Sequence, residues 1–367
     1  MEFKCEKTVL LEAVSHVQRS VLARSNIQAL EGIHVSVKEN YVEFESYNLE
    51  FGVKTQIPVF DAEVGEIIIP ARIFFDICKK LPSEIVEIFS EKLEINIKCA
   101  GCDYNIIGLD SSDFPKLPVI NNENCIEFPK NIITSLIKQT IFAVGTDENH
   151  PIHTGVLIET RNKIVTFVAI DGFRMALRRE FVEIENELKI VVPGKTLAEI
   201  LKLIPNDEMN IKIFLSERYV FFVINKYTIV SRLLEGEFID YNAAIPDEFT
   251  MQARINTRKF IESVERVSLV INDRLKSPVK TIFGENVAKF SCCTMLGKSS
   301  DELEIVTDGE PVEIAFNDKF IVDALKNADT DEVFMQFTTS LRPIKIVPTE
   351  GDAFLFLVLP VRIRQSD

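Results

Sequence analysis

The chain has 367 residues, 46% hydrophobic and 26% charged, the composition of a globular protein long enough for two or three domains, each with its own core. Nothing in it approaches the ~18 consecutive apolar residues of a membrane span, and the opening MEFKCEKTVLLEAV lacks the basic and apolar regions of a signal peptide, so an intracellular, cytoplasmic protein is expected. The formal net charge of −15 argues against a simple DNA-binding domain with a basic surplus, but total charge says nothing about how charge is distributed.

In chain order, KTVLLEAVSHVQRSV (7–21) places Leu10, Val14, Val17 and Val21 on one face of a 3.6-residue period, a helix. The alternating run YVEFES (41–46) reads as a strand. IIIPARIFFDICKKLP (67–82) is a buried strand, a proline stop and an amphipathic helix closed by a second proline. EIFSEKLEINIK (87–98) returns to strand.

The order then recurs. NIITSLIKQTIFAV (131–144) carries Ile133, Ile137, Thr140 and Val144 on the helical spacing, KIVTFVAI (163–170) alternates, IVVPGKTLAEILKLIP (190–205) repeats the strand–proline–helix–proline phrase, and KIFLSERYVFFVI (212–224) is again strand. A third pass gives TRKFIESVERVSLVI (257–271) with Phe260, Val264, Val267 and Ile271, then EIAFNDKFIVDALKNA (313–328) and VFMQFTTSLRPIKIV (333–347). Pro193 and Pro205 each lie 123 residues beyond Pro70 and Pro82, and Phe316 lies 123 beyond Pro193.

A period this long excludes a solenoid, whose repeats run roughly 20 to 50 residues. Each unit reads helix, strands, helix, strands, and is itself a duplicate: its two helices can pack side by side with antiparallel sheets behind them, an α+β arrangement. Boundaries near LPVINNENC (117–125) and IPDEFTMQ (245–252) divide the chain into domains at 1–121, 122–249 and 250–367.

Seven motifs in order across the three repeats carry a family resemblance: IPARIFFDICKKLP (69–82), LDSSDFPKLP (109–118), QTIFAV (139–144), DGFRMAL (171–177), SRLLEGEFIDY (231–241), FNDKFIVDAL (316–325) and the terminal LPVR (359–362). Along its whole length the sequence resembles the bacterial sliding clamp, the β subunit of DNA polymerase III. The resemblance implies three tandem DNA-clamp-fold domains forming half of a ring, and a head-to-tail homodimer that encircles duplex DNA without reading its sequence. It implies a processivity factor with no chemistry and no cofactor, which tethers the replicative polymerase, the clamp loader and other DNA-handling proteins through short linear peptides, with no membrane partner.

The repeat is compatible with such a ring. Two chains would supply twelve helices, and at ~9 Å between neighbouring axes their circle is about 34 Å across. Removing about 5 Å of helix on each side leaves a bore of roughly 24 Å, enough for a duplex and some water. A ring that holds DNA topologically needs only weak contacts to phosphates. Basic residues fall on the predicted helices and their ends, among them Arg19, Arg24, Arg72, Lys79, Lys80, Lys138, Lys195, Lys202, Lys259, Arg266, Lys319 and Lys326, interspersed with Asp76, Glu199 and Asp323. By resemblance, Arg24, Arg72 and Lys195 face DNA.

AIDGFRMAL is an Asp-Gly hairpin signal between apolar flanks. In the family this turn lines the peptide pocket, and the matching positions here are Ile170, Gly172, Phe173, Arg174 and Met175. His153, Ile239, Ala243 and Ala244 match from the same repeat, Asn317, Phe320, Leu341 and Pro343 from the next, and Val358, Leu359, Pro360, Val361 and Arg362 from the tail. Met175 and the tail offer an apolar surface, with Arg174 and Arg362 expected on its polar rim. The family commonly has Pro where Ile239 stands, Leu where His153 stands, and His or Ser where Phe173 stands. The dimer contact is expected from Tyr104 and Ile106 on an edge strand, and from Leu269 and Val270 late in the third unit's opening helix.

Other chemistry is weakly signalled. HPIH places His150 and His153 three apart, but a proline intervenes and no third ligand is near in sequence. CAGC (99–102) ends one strand and begins another, and Cys292-Cys293 is not the second CxxC of a zinc ribbon, so the seven cysteines read as reduced thiols. No P-loop, GxSxG or HExxH occurs. The rivals to the clamp are a metal- or thiol-dependent enzyme built on His150, His153, Cys99 and Cys102, which metal analysis separates, and a clamp-like scaffold for other partners.

Overall fold

A computed structural model describes residues 1–120, 125–147, 149–183, 187–205, 207–271 and 277–362. The first repeat runs β1 (Glu2–Glu6), α1 (Lys7–Val17), β2 (Gly32–Val37), β3 (Tyr41–Tyr47), β4 (Phe51–Pro58), β5 (Phe60–Glu63), β6 (Gly65–Pro70), α2 (Ala71–Lys80), β7 (Ile85–Glu91), β8 (Glu94–Cys99) and β9 (Cys102–Ile107). The second runs β10 (Cys125–Pro129), α3 (Lys130–Ile141), β11 (Gly155–Arg161), β12 (Ile164–Ile170), β13 (Arg174–Phe181), β14 (Leu188–Pro193), α4 (Gly194–Leu203), β15 (Asn210–Leu215), β16 (Tyr219–Ile224) and β17 (Tyr227–Arg232). The third runs β18 (Met251–Asn256), α5 (Thr257–Ser268), β19 (Val279–Phe283), β20 (Val287–Thr294), β21 (Gly297–Glu304), β22 (Val306–Gly309), β23 (Val312–Phe316), α6 (Asp318–Lys326), β24 (Glu332–Phe337), β25 (Ile344–Pro348) and β26 (Phe354–Val358).

The aligned residues do one job three times: Pro70, Pro193 and Phe316 are the last residues of β6, β14 and β23, the strands that lead into the second helix of each repeat. In the third repeat Asn317 intervenes as an N-cap, its side chain accepting from the Lys319 N–H at 3.0 Å, so α6 starts one residue later. Asn256 caps α5 in the same way, accepting from Lys259 N–H at 3.0 Å. The amphipathic stripes are buried as expected at Leu10, Val14 and Val17, at Ile133, Ile137 and Thr140, and at Phe260, Val264 and Val267. Their fourth members, Val21, Val144 and Ile271, lie beyond the helix ends, because the apolar spacing outlasts the helical hydrogen bonding.

Each long strand run resolves into a hairpin; some turns carry a residue at positive φ, such as Lys92 (54°) between β7 and β8, or Asn225 (51°) between β16 and β17. Within a repeat the halves exchange their first strands: β1 pairs with β7, and β6 with β2. The fold class is α+β, with α1 packed beside α2 and α5 beside α6. Aromatic rings fill the space between helices and sheets, Phe3 and Phe74 flanking Phe44 at 6.5 and 6.4 Å, and Phe260 meeting Phe283 and Phe290 at 6.2 and 5.0 Å.

The described chain forms two compact units, Met1–Lys130 with Ala198–Leu233, and Asn131–Leu197 with Leu234–Asp367. In the first, β17 of the second repeat pairs antiparallel with β4 of the first, Tyr227 opposite Thr55 through Ser231 opposite Phe51. This makes an eight-stranded sheet. In the second, β13 pairs antiparallel with β26, Arg174 opposite Val358 through Arg178 opposite Phe354, in a nine-stranded sheet. Sheets therefore cross the sequence repeats.

Candidate peptide-binding site

The Asp-Gly turn is a two-residue hairpin between β12 and β13. Gly172 takes the first central position at φ 87°, where a β-carbon would strain the backbone. The Asp171 carboxylate locks the turn, accepting from Phe173 N–H at 2.9 Å and from Arg174 N–H at 3.0 Å. The chain's last ladder seats beside it: Val358 lies opposite Arg174, and Leu359 N–H donates to the Phe173 carbonyl at 2.8 Å. Val361 N–H then donates to Ala315 O at 2.8 Å, tying the tail to the end of β23.

Beneath the turn lies an apolar cluster of Leu157, Val168, Ile170, Met175, Leu177, Val191, Phe238, Tyr241 and Leu357, with Ile152, Leu234, Ile245 and Leu355 against it. The half-buried His153 ring stands edge-on to Phe238 at 6.4 Å, and His150, held by Asp147 at 3.0 Å, stacks on His153 at 6.0 Å. Ile239 is exposed beside the buried Phe238, and Ala243 and Ala244 are exposed in the 3-10 turn Tyr241–Ala244. Burial, and the Glu159 carboxylate that its hydroxyl contacts, push the Tyr241 phenol up to about 12, so it stays a neutral donor. From the third repeat, Pro343 precedes Ile344, which lies opposite Val358, while Leu341 is exposed and Asn317 caps α6. The structure thus gathers Ile170, Phe173, Arg174, Met175, Phe320, Val358 and Leu359 around one turn; Pro360 is half-buried and Arg362 exposed.

Arg174 departs from expectation. It is not a rim residue: its side chain is only 12% exposed, its Nε donates to Asp171 at 2.9 Å and an Nη to Asp323 at 2.6 Å. Its guanidinium covers the Phe320 ring at 4.6 Å and the Phe142 ring at 5.6 Å. Asp323, grouped by sequence with the acidic residues of the helix faces, is its counter-ion.

The expected DNA-facing residues Arg72, on α2, and Lys195, on α4, are exposed. Arg24 is exposed too, but it lies in the loop after the 3-10 turn Gln18–Ser20 and not on a helix. None of the three forms an ion pair among the described residues. Arg19 bonds Glu199 at 3.1 Å, Arg266 bonds Asp301, and Lys326 bonds Glu265 at 2.8 Å.

Of the expected contact residues, Tyr104 and Ile106 are half-buried on β9, a sheet-edge strand. Leu269, 83% exposed, is the C-cap of α5, and Val270 follows it, so both stand just past the helix rather than within it. The sequence reading missed Met295 and Leu296, 92% and 71% exposed at the tip of the β20–β21 hairpin. That tip is fastened to the same place, Thr294 Oγ1 donating to Val270 O at 2.8 Å. Two apolar residues in a Gly-containing turn were the available signal.

Cys99 faces Cys102 across the two-residue turn of Ala100 (φ 45°) and Gly101 (φ 83°), a tight hairpin. All seven cysteines are free thiols. Among the described residues no group of three or more His, Cys, Asp and Glu is placed to hold a metal ion, and no helix is long and apolar enough to cross a membrane.

Tandem helix-backed repeats joined through shared sheets, with an apolar cluster beneath a fixed turn, define a binding protein of the clamp type. Models of the DNA polymerase III beta subunit match the N-terminal domain at residues 1–118, the central domain at 127–240 and the C-terminal domain at 242–362. The beta sliding clamps of Staphylococcus epidermidis and Halalkalibacterium halodurans are each 30% identical, the alignments covering 99% of this chain and 99% and 100% of theirs. The crystal structure of the DNA polymerase sliding clamp from Bacillus subtilis superposes with a TM-score of 0.96 at 30% identity, over 99% of this chain and all of that one. The beta subunit from Thermotoga maritima gives 0.92 at 26%, with the same coverage. The chain belongs to the DNA polymerase III beta subunit family, the sliding clamps. It is a processivity factor of DNA replication, a non-catalytic accessory to a DNA-directed DNA polymerase.

Proposed function

We propose that two copies of this chain close head to tail into a ring around duplex DNA in the cytoplasm. Its repeats act as domains 1–121, 122–249 and 250–367, and partner peptides dock at the turn of residues 171–174. The carrying observation is a rule in the sheets. At both junctions the third strand of the three-stranded run that follows one repeat's first helix (β4, β13) pairs with the last strand of the next repeat's second half (β17, β26). The two strands this rule leaves over, β21 of the third repeat and β9 of the first, are both sheet edges. A second copy satisfies both, and a two-fold axis then makes the contact twice.

The edges support this reading. β9 carries half-buried Tyr104 and Ile106 on one face and Ile107, 61% exposed, on the other, an apolar edge that invites pairing. Leu269, Val270, Met295 and Leu296 would extend the contact beside β21. The offset of 123 that carries Phe51 to Arg174 carries Arg174 to Gly297, and Tyr227 corresponds to Cys102 because each is the first residue after the two-residue turn of its hairpin, opposite Ile224 and Cys99 respectively. The expected intermolecular ladder therefore sets Cys102 opposite Asp301 of the second copy, Asp103 opposite Ser300, Tyr104 opposite Ser299, Asn105 opposite Lys298 and Ile106 opposite Gly297.

Inside the ring, Arg24, Arg72 and Lys195 would touch phosphates. At the turn, the replicative polymerase, clamp loader and other partners would insert extended peptides with one or two hydrophobic anchors. The test is retention: protein placed by its clamp loader on a nicked circle should survive a high-salt wash and leave once the circle is cut. Equal loss from circular and linear DNA would overturn the ring.

A further inference from the structure

Around the turn, aromatic and cationic groups form one continuous stack. The Phe173 ring lies on Phe320 with centroids 6.2 Å apart and planes at 27°. The Arg174 guanidinium covers Phe320 and reaches Phe142, whose ring meets Phe356 edge-on at 5.2 Å. Behind the stack are two carboxylates, Asp171 and Asp323, that fix the guanidinium. Phe173 alone turns toward solvent, 62% exposed, yet its backbone is held by the Asp171 carboxylate and by Leu359 N–H. An exposed ring on a fixed backbone, backed by a second ring and a cation, is a preorganised stacking surface.

We propose that Phe173 and Phe320 form a shelf that selects a planar side chain in the bound peptide, at a position flanking its hydrophobic anchors. The inference rests on the peptide-docking reading above and adds a specificity to it. Burial alone does not distinguish a phenyl from a cyclohexyl ring of similar area. Stacking against an offset ring does, by about 3- to 10-fold in affinity.

The test uses a synthetic peptide carrying a glutamine and a terminal Leu-Phe pair, in versions with phenylalanine or cyclohexylalanine at each position between them. Calorimetry on the full-length protein should find one position where phenylalanine binds about 3- to 10-fold tighter. That preference should vanish in Phe173→Ser and persist in Phe173→Trp. No preference at any position, or one that survives Phe173→Ser, overturns the shelf while leaving the docking site standing. If the parent peptide does not bind the wild-type protein at all, the docking reading fails and the shelf falls with it.

Discussion

The register of the intermolecular ladder can be tested by covalent capture. Asp103 and Ser300 are both exposed, point away from the helix layer and are expected to lie directly opposite each other, so replacing both with cysteine removes no core contact. Directly opposed residues of an antiparallel pair have Cα atoms about 4.5 to 5.5 Å apart, inside the roughly 4.4 to 6.8 Å that a disulfide spans. Pairing Asp103→Cys instead with Lys298→Cys keeps both thiols on one face but offsets them by two residues, a diagonal of about 7 to 8 Å that is too long. Under mild oxidation with a small disulfide, the first pair should give a covalent species of twice the 41.7 kDa chain mass on non-reducing gels. It should give no ladder of trimers and larger forms, because a two-fold closed ring has only two such contacts. Equal yields from the two pairs would refute the register, and an open series of multimers would refute closure.

Further outcomes are specific. Leu269→Ala removes three carbons from a residue 83% exposed in the single chain; at about 2 kcal/mol per contact, counted twice in a closed ring, the dimer Kd should rise about 1000-fold in sedimentation equilibrium. Val270→Glu should go further and leave monomers by light scattering at micromolar concentration. Ending the chain at Val358 removes the bonds from Leu359 to Phe173 and from Val361 to Ala315, and should abolish calorimetric binding of a Leu-Phe-terminated peptide while the dimer persists. Reversing Arg24 and Lys195 to Glu should slow loading onto circular DNA, followed by fluorescence, without changing the molar mass. Burial holds the His16 imidazole below its ordinary 6.5, in spite of the neighbouring Glu12 and in concert with Arg19 and Lys226. The unfolded chain therefore takes up the proton first, so stability is full above about pH 6.5 and falls below it. The drop in melting midpoint from pH 7.5 to 5.5 should be smaller in His16→Asn.

What could be read from the sequence was what local chemistry encodes. Proline at the end of β6 and β14 halts the strand and opens the helix whatever surrounds it, so one offset located the helices that follow both. The Asp-Gly pair likewise announced the β12–β13 turn. The role of Arg174 was not legible, because its partner Asp323 is 149 residues away and nothing near either residue announces the pair. The shared sheets were hidden for the same reason. Their one local trace was that the middle of β17 (Ile229, Val230 and Ser231) and the start of β13 (Met175 to Arg178) are buried on both faces, as strands inside a sheet are, where a simple edge would alternate.

An overall charge of −15 and a place on DNA are compatible because several cations near the helices already have carboxylate partners within the chain. Glu199 accepts from both Arg19 and Lys202, Asp301 holds Arg266, Glu265 holds Lys326, and Glu262 holds Arg258. These exposed pairs add little stability individually, but each lowers the charge a phosphate would meet. Arg24, Arg72 and Lys195 stand outside such pairs among the described residues. A protein that grips DNA through many phosphates loses affinity steeply with salt, with a slope of about 0.9 per phosphate on logarithmic axes. A closed ring has no need of that grip, and each added contact would be one more to break at every step along the duplex. A partly neutralised set of cations on an acidic chain is therefore compatible with sliding: enough attraction to guide loading, with retention left to topology.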